Sequence, residues 1–200
     1  MTPDQAPALQ SLTRELGRHL LALPHGHGPL PPPHRLPAAH VARGPALLAR
    51  GHAGPSARQN ARQLYERCLT HFRQRAQPGA TLDDLGLAAA YFVLANLEAL
   101  HGLQADEPLL LQVEAQMRSA LAASPHWQRA SLAEQQACFE QLAIVGVLVA
   151  ESSRQAQRQG PAAQAHVRQA ARGYLHRWLG LNPERLTLND QGLALALEAA

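Results

Sequence analysis

Two stretches of this 200-residue chain limit its fold more than anything else in it: GLAAAYFVLAN at 86–96 and QLAIVGVLVAE at 141–151. Each is apolar almost all the way round at helical spacing, and such a helix is stable in water only when other elements surround it. Both are shorter than the roughly 17 residues a membrane span requires. Two helices must therefore be buried at the centre of a helical assembly. Composition agrees: 38 Ala and 34 Leu stand against a single Ile and no Lys. Strong helix formers abound and β-branched residues are scarce. An all-β domain, a disulfide scaffold and a collagen-like chain are excluded.

Punctuation divides residues 56–195 into five helices. The first spans about Ser56 to Gln77, with Ala61, Leu64, Cys68, Leu69 and Phe72 on one face, and Pro78-Gly79 ends it. The second opens with Thr81-Leu-Asp-Asp84, a capping box in which Thr81 caps and Asp84 answers at the third position. Gly102 closes it. Asp106 caps the third, which tolerates Pro108 in its first turn and points Leu110, Val113, Met117 and Leu121 inward. Ser131 and Glu134 form a second box at the head of the fourth, and Arg154 and Arg158 suit the negative pole at its end. The fifth follows Gly160-Pro161, carries Val167, Ala171, Leu175 and Leu179 in its stripe, and meets a left-handed cap at Gly180. Asn182-Pro183-Glu184-Arg185 reads as one capped turn, and Thr187-Leu-Asn-Asp190 as the start of another before Gly192. The expected fold is all-α: a single five-helix bundle with two central apolar helices.

The front of the chain is different material. Residues 1–23 predict an amphipathic helix, with Leu9, Leu12, Leu16, Leu20 and Leu23 on one side and Arg14, Glu15 and Arg18 on the other. Pro24 stops it. Residues 24–55 hold eight of the fifteen prolines and five of the eleven histidines without any hydrophobic period. A disordered Pro/His/Gly-rich linker is expected there, the domain proper at 56–195 and a tail at 196–200. The net charge of +3 divides unevenly, ten Arg against three acids up to residue 78 and eight Arg against twelve acids beyond it. Pro-rich arms collect Arg readily, and nucleic acid is not expected as a partner. The opening has no basic start, and Arg14, Glu15 and Arg18 break any apolar core, so no signal peptide is read. A cytoplasmic location is expected for the chain as it stands, and a periplasmic or secreted one if the true start lies upstream.

Three segments together resemble a known family: TLDDLGLAAAYFVLANLEALHGL, the apolar helix after SLAEQQ, and YLHRWLGLNPERLTLNDQGL. They are similar to a bacterial all-helical domain family of unknown function, whose members are often exported. The matching positions are Asp83 or Asp84, Ala89, Asn96, Gly102, Leu181, Pro183, Leu186 and Gly192, over roughly residues 60–195. The resemblance implies the helical fold and no activity.

Candidate chemistry is sparse. His25, His27 and His34 offer imidazoles to a metal, but a linker without second-shell support holds one only adventitiously. Pro29–Pro33 has a PxxP spacing that an aromatic groove can take. Asn96 and Glu98 are polar in an otherwise apolar helix and are the candidate ligand-binding residues. Arg168, Arg172 and His176 sit four apart on the fifth helix, a stripe suited to an anion or a carboxylated partner. Cys68 and Cys138 pair only if their helices touch. There is no GxSxG, HExxH, GxxxxGK[ST], GxGxxG or CxxC. No cofactor is implied. The function expected is a non-catalytic protein-interaction module, whose N-terminal helix docks on an unknown protein partner, on a second copy in self-association, or on its own bundle. The alternatives are a small-molecule or lipid binder with a pocket between the second and fourth helices, and an enzyme with an unrecognised site.

Overall fold

The computed structural model describes residues 5–22, 32–76, 82–189 and 192–195. The chain is mostly helical, with eight α-helices and two two-stranded sheets among these residues. In order they are α1 (Gln5–Ala22), β1 (Arg35–Pro37), α2 (Gly44–Ala49), α3 (Pro55–Ala76) and β2 (Leu82–Asp84). Then come α4 (Leu85–His101), α5 (Glu107–Ala123), α6 (Pro125–Arg129), α7 (Leu132–Gln159) and α8 (Pro161–Tyr174). A π turn at Leu175–Leu179 continues α8, a 3-10 turn follows at Pro183–Arg185, and β3 (Leu186–Asn189) and β4 (Gly192–Leu195) close the chain. No helix among the described residues is long and apolar enough to cross a membrane.

The two apolar stretches form the centre, as their patterning demands. α4 and α7 pack along each other, flanked by α3, α5 and α8. They come close together at Gly146, where an added Cβ would lie 3.2 Å from Phe92 Cα and 2.8 Å from the Tyr91 ring. Aromatic contacts tie the flanking helices to this pair. Phe72 of α3 meets Phe139 of α7 edge-on at 5.8 Å, and Trp178 stacks on Phe92 of α4 at 5.6 Å. Such pairs add roughly 0.5–1.5 kcal/mol beyond the area they bury.

Caps and stops follow the local chemistry. The Ser131 side chain accepts the Glu134 N–H while Glu134 accepts from the Ser131 N–H, a complete capping box. Asp106 caps α5, and Gly102 and Gly180 take left-handed backbone at the ends of α4 and the π turn. The start of α4 departs from expectation. Its cap is Asp84 itself, whose carboxylate accepts the Leu87 N–H, and Thr81 lies outside the described residues. Residues 82–84 are pulled into extended pairing with β1, which moves the helix start past the expected box.

The segment expected to be a disordered linker is built into the fold from residue 32 onward; residues 23–31 lie outside the described ones. β1 pairs antiparallel with β2, placing Arg35 opposite Asp84, and Leu36 is buried. α2 packs between α3 and α7. Hydrophobic periodicity is silent over elements of three and six residues, and their partners are distant in sequence. Gln136 donates to the Pro37 carbonyl, and Glu140 accepts the N–H groups of Arg43 and Gly44.

The second departure is at the C-terminus. Thr187-Leu-Asn, expected to begin a helical turn, is strand β3 and pairs with β4 from Leu186–Leu195 to Asn189–Gly192. Gly192 has φ +102°, outside ordinary helical backbone. The hairpin is fastened to α5 by Gln116, which accepts the Leu193 N–H at 2.8 Å and donates to the Leu193 carbonyl at 3.1 Å. Residues 196–200 lie outside the described chain.

α1 forms as its leucine spacing requires, and it docks on the chain's own bundle. Leu12, Leu16 and Leu20 are buried, while Leu23 lies outside the described residues. Three buried leucines stabilise the docked helix by about 1.5–3 kcal/mol each before ordering costs. An isolated helix of this length is marginal in water. Docking and helix formation are thus one event.

Candidate functional site

Where α4 ends, the chain makes a tight return. Gly102 turns the backbone, and the Glu98 carboxylate reaches forward to accept the Ala105 N–H at 2.7 Å. Asp106 then caps α5 by accepting the Leu109 N–H at 3.0 Å. α7 runs on beyond the apolar centre, so Ser153, Arg154 and Gln157 project beside this return. Between them lies a half-open groove of about 540 Å³, with Tyr91, Leu94 and Leu110 on its floor and Leu103 at its rim. Leu103 is 47% exposed, a large apolar side chain offered to solvent.

The groove continues into a recess of about 240 Å³ toward α8. Glu98, Ser153 and Gln157 line both, and the recess adds His101, Val167 and Arg168. Charge of both signs surrounds the floor. Glu98, Asp106 and Glu107 lie along the α4–α5 side. Arg154, paired with Glu151 at 2.7 Å, and Arg168, which donates to Gln164, lie along the α7–α8 side. Burial pushes the Tyr91 phenol up, so it stays protonated. The arrangement offers apolar contact with polar anchors.

The expected site residues separate. Glu98 and Arg168 come together in the recess although they were singled out for different reasons. Asn96 is fully buried and lines neither cavity; its Nδ2 donates to the Phe92 carbonyl at 2.7 Å, and its Oδ1 has no partner among the described residues. Arg172 is engaged within the chain, with Nε 2.8 Å and Nη2 2.7 Å from Glu184 Oε1. His176 is exposed in the π turn, whose carbonyl there accepts the Gly180 N–H. His34 is half-buried and its carbonyl accepts the Leu85 N–H, while His25 and His27 lie outside the described residues. Among the described residues no group of three or more His, Cys, Asp or Glu is placed to hold a metal. Cys68 and Cys138 are both buried and free.

A second polar feature went unseen in the sequence. Arg73 grips Asp83 with two hydrogen bonds, at 2.9 and 2.7 Å. Arg118 pairs with both Asp84 and Glu114, and Glu140 holds the start of α2. Burial pushes the Glu114 and Glu140 carboxyls up. The Asp83-Asp84 doublet was the available signal. It also serves as a helix cap, which masked its part in this cluster. Arg118 Nε and Glu140 Oε1 are buried without a partner among the described residues, and Glu140 Oε2 ties the start of α2 to α7.

No curated protein and no solved structure matches the chain. A family profile matches residues 39–196, more than half of the chain's length, and takes in α2 and β2 together with every helix that builds the groove. The chain belongs to a family of unknown function, DUF6683.

Proposed function

We propose that this chain is a non-catalytic interaction module, built as a bundle of α3, α4, α5, α7 and α8, and that the groove beside α4 and α7 receives a segment of a protein partner. The observation that carries this is the groove itself: an apolar floor, an exposed Leu103 at the rim, and charges of opposite sign along its two sides. Fixed charges flanking an apolar strip select register and orientation in a bound peptide. Glu98 and Arg168 are the anchors on this reading, with Arg172 and His176 a solvated face beside them.

The test is photo-cross-linking from position 103 in the native host, with position 132, at the other end of α7, as control. A protein adduct formed from 103 and absent from 132 is expected. The purified adduct protein should then bind the wild-type chain at least about tenfold more tightly than the groove-filling variant Ser153→Trp, a difference of about 1.4 kcal/mol. Equal adducts from both positions, or unchanged affinity in the variant, would sink the proposal.

One observation favours a second reading. The volume of about 540 Å³ falls within the roughly 300–1,000 Å³ of small-molecule pockets. A small-molecule or lipid ligand would appear as a fixed added mass in native mass spectra of the purified chain, removed by Ser153→Trp.

A further inference from the structure

α1 stands outside the family match, which begins at residue 39, yet the surface it covers lies within that match. The seat is formed by α5, α6 and the π turn. Its fit to α1 is close. Gly17 runs so near the π turn that an added Cβ would fall 1.9 Å from the Leu179 carbonyl oxygen. Leu12, Leu16 and Leu20 enter at four-residue spacing and are buried. Arg14 Nε donates to the Arg177 carbonyl at 3.3 Å, and Glu15 pairs with His126 of α6. The seat therefore reads a leucine ladder, a glycine, a base and an acid, all in one amphipathic helix.

None of these contacts depends on which chain supplies the helix. Nine residues, 23–31, join α1 to the rest of the described structure, and a chain of that length reaches about 30 Å when extended. We infer that the α5–α6–π-turn face is a helix-docking site and that α1 of a second copy of this chain takes it in exchange for the chain's own. Exchange of an identical element is a low-cost route to a dimer, since every contact is reused. Covalent attachment favours the chain's own α1 over that of a second copy at low concentration. The own arm therefore holds the seat in dilute solution, and exchange grows as the protein is concentrated.

Cysteines placed at the Glu15–His126 contact test this in the full chain, because the native Cys68 and Cys138 are buried. A Glu15→Cys chain is mixed with a His126→Cys chain carrying a larger tag and treated with a short bismaleimide. The expected product is a mixed cross-linked dimer whose yield rises with concentration up to about 1 mM. Its yield should exceed by about tenfold that from Arg18→Cys, on the exposed side of α1, paired with the same partner. Adding Gly17→Trp to the Glu15→Cys chain should abolish it. A single chain carrying both cysteines should link within itself when dilute. Internal linking without any mixed dimer at about 1 mM would show the arm to be fixed and overturn the inference. So would a mixed dimer that survives Gly17→Trp, or a double-cysteine chain that fails to link internally.

Discussion

Replacing Glu140 by Ala tests whether one buried carboxyl holds residues 32–50 to the bundle. Its Oε2 accepts the N–H of Arg43 at 2.7 Å and of Gly44 at 2.6 Å, and the side chain is 1% exposed. Burial pushes its pKa up, against the pull of those two N–H groups and of Arg73. Desolvation thus outweighs charge assistance, and the bonds are reckoned at neutral strength. The buried Gly44 N–H, left without an acceptor, costs about 1–3 kcal/mol, and the Arg43 N–H, which water can reach, about 0.5 kcal/mol. A net loss of about 2–3 kcal/mol is expected at the acid end of the range.

The pH dependence has a definite sign. A carboxyl whose folded pKa lies above its unfolded value binds more protons in the native state between the two values. Its contribution is therefore greatest below the ordinary value of about 4.3 and falls as pH rises through the raised one. The Glu140→Ala penalty should shrink over that interval. Urea denaturation of both proteins across a pH series gives the difference, and hydrogen exchange locates it. Exchange should accelerate chiefly across residues 32–50. A penalty below about 0.5 kcal/mol, a penalty that grows with pH, or acceleration spread evenly along the chain would each refute this reasoning.

Other consequences are open to measurement. Ser131→Ala should cost about 1 kcal/mol by removing the cap of α7. The Ser131 hydroxyl and N–H hold the Glu134 carboxyl below its ordinary range, so this contribution stands above the unfolded pKa and is lost as pH falls through the folded one. The variant should accordingly show a flatter acid limb in its stability profile. Arg73→Ala leaves the buried Asp83 without its two-bonded partner and should cost about 3 kcal/mol in thermal or urea melts. Lys at position 73 should restore less than half of that, since an ammonium cannot make the paired geometry. Burial pushes the Cys138 thiol up and also raises Cys68, so a thiol reagent should label neither in the native protein and should follow unfolding as urea is added. Prompt labelling without urea would contradict their burial.

What the sequence could announce was local chemistry repeated over many residues. Ser131 with Glu134, Asp106, Gly102 and Gly180 could be placed because each acts within a few residues of itself. The two apolar helices could be placed because eleven consecutive positions agree. α2 could not, since its anchor is Glu140, a side chain nearly a hundred positions later. The start of α4 was misplaced for a related reason: pairing of Leu82–Asp84 with Arg35–Pro37 overrides a cap box that is only locally favourable. The groove is the extreme case. Glu98 was legible as an odd polar residue and Arg168 as part of a stripe, but nothing in either helix says that they face the same recess. Asn96, the other candidate on that helix, turned inward and found the Phe92 carbonyl instead. Polarity on an apolar helix marks a residue that needs a partner, and does not say whether that partner is inside the chain or outside it.

The clasp between Gln116 and Leu193 bears on how this chain behaves at high concentration. A two-stranded sheet has two open edges, and an open edge is a template for another chain to extend. A primary amide carries N–H donors and a carbonyl acceptor side by side, the two functions a neighbouring strand would present. By meeting both the N–H and the carbonyl of Leu193, Gln116 occupies that position on β4 as a strand one residue long. A strand from another molecule would first have to displace it. A side chain on a helix thus covers the β4 edge of the terminal hairpin at Leu193, one of the places where sheet-to-sheet growth could begin.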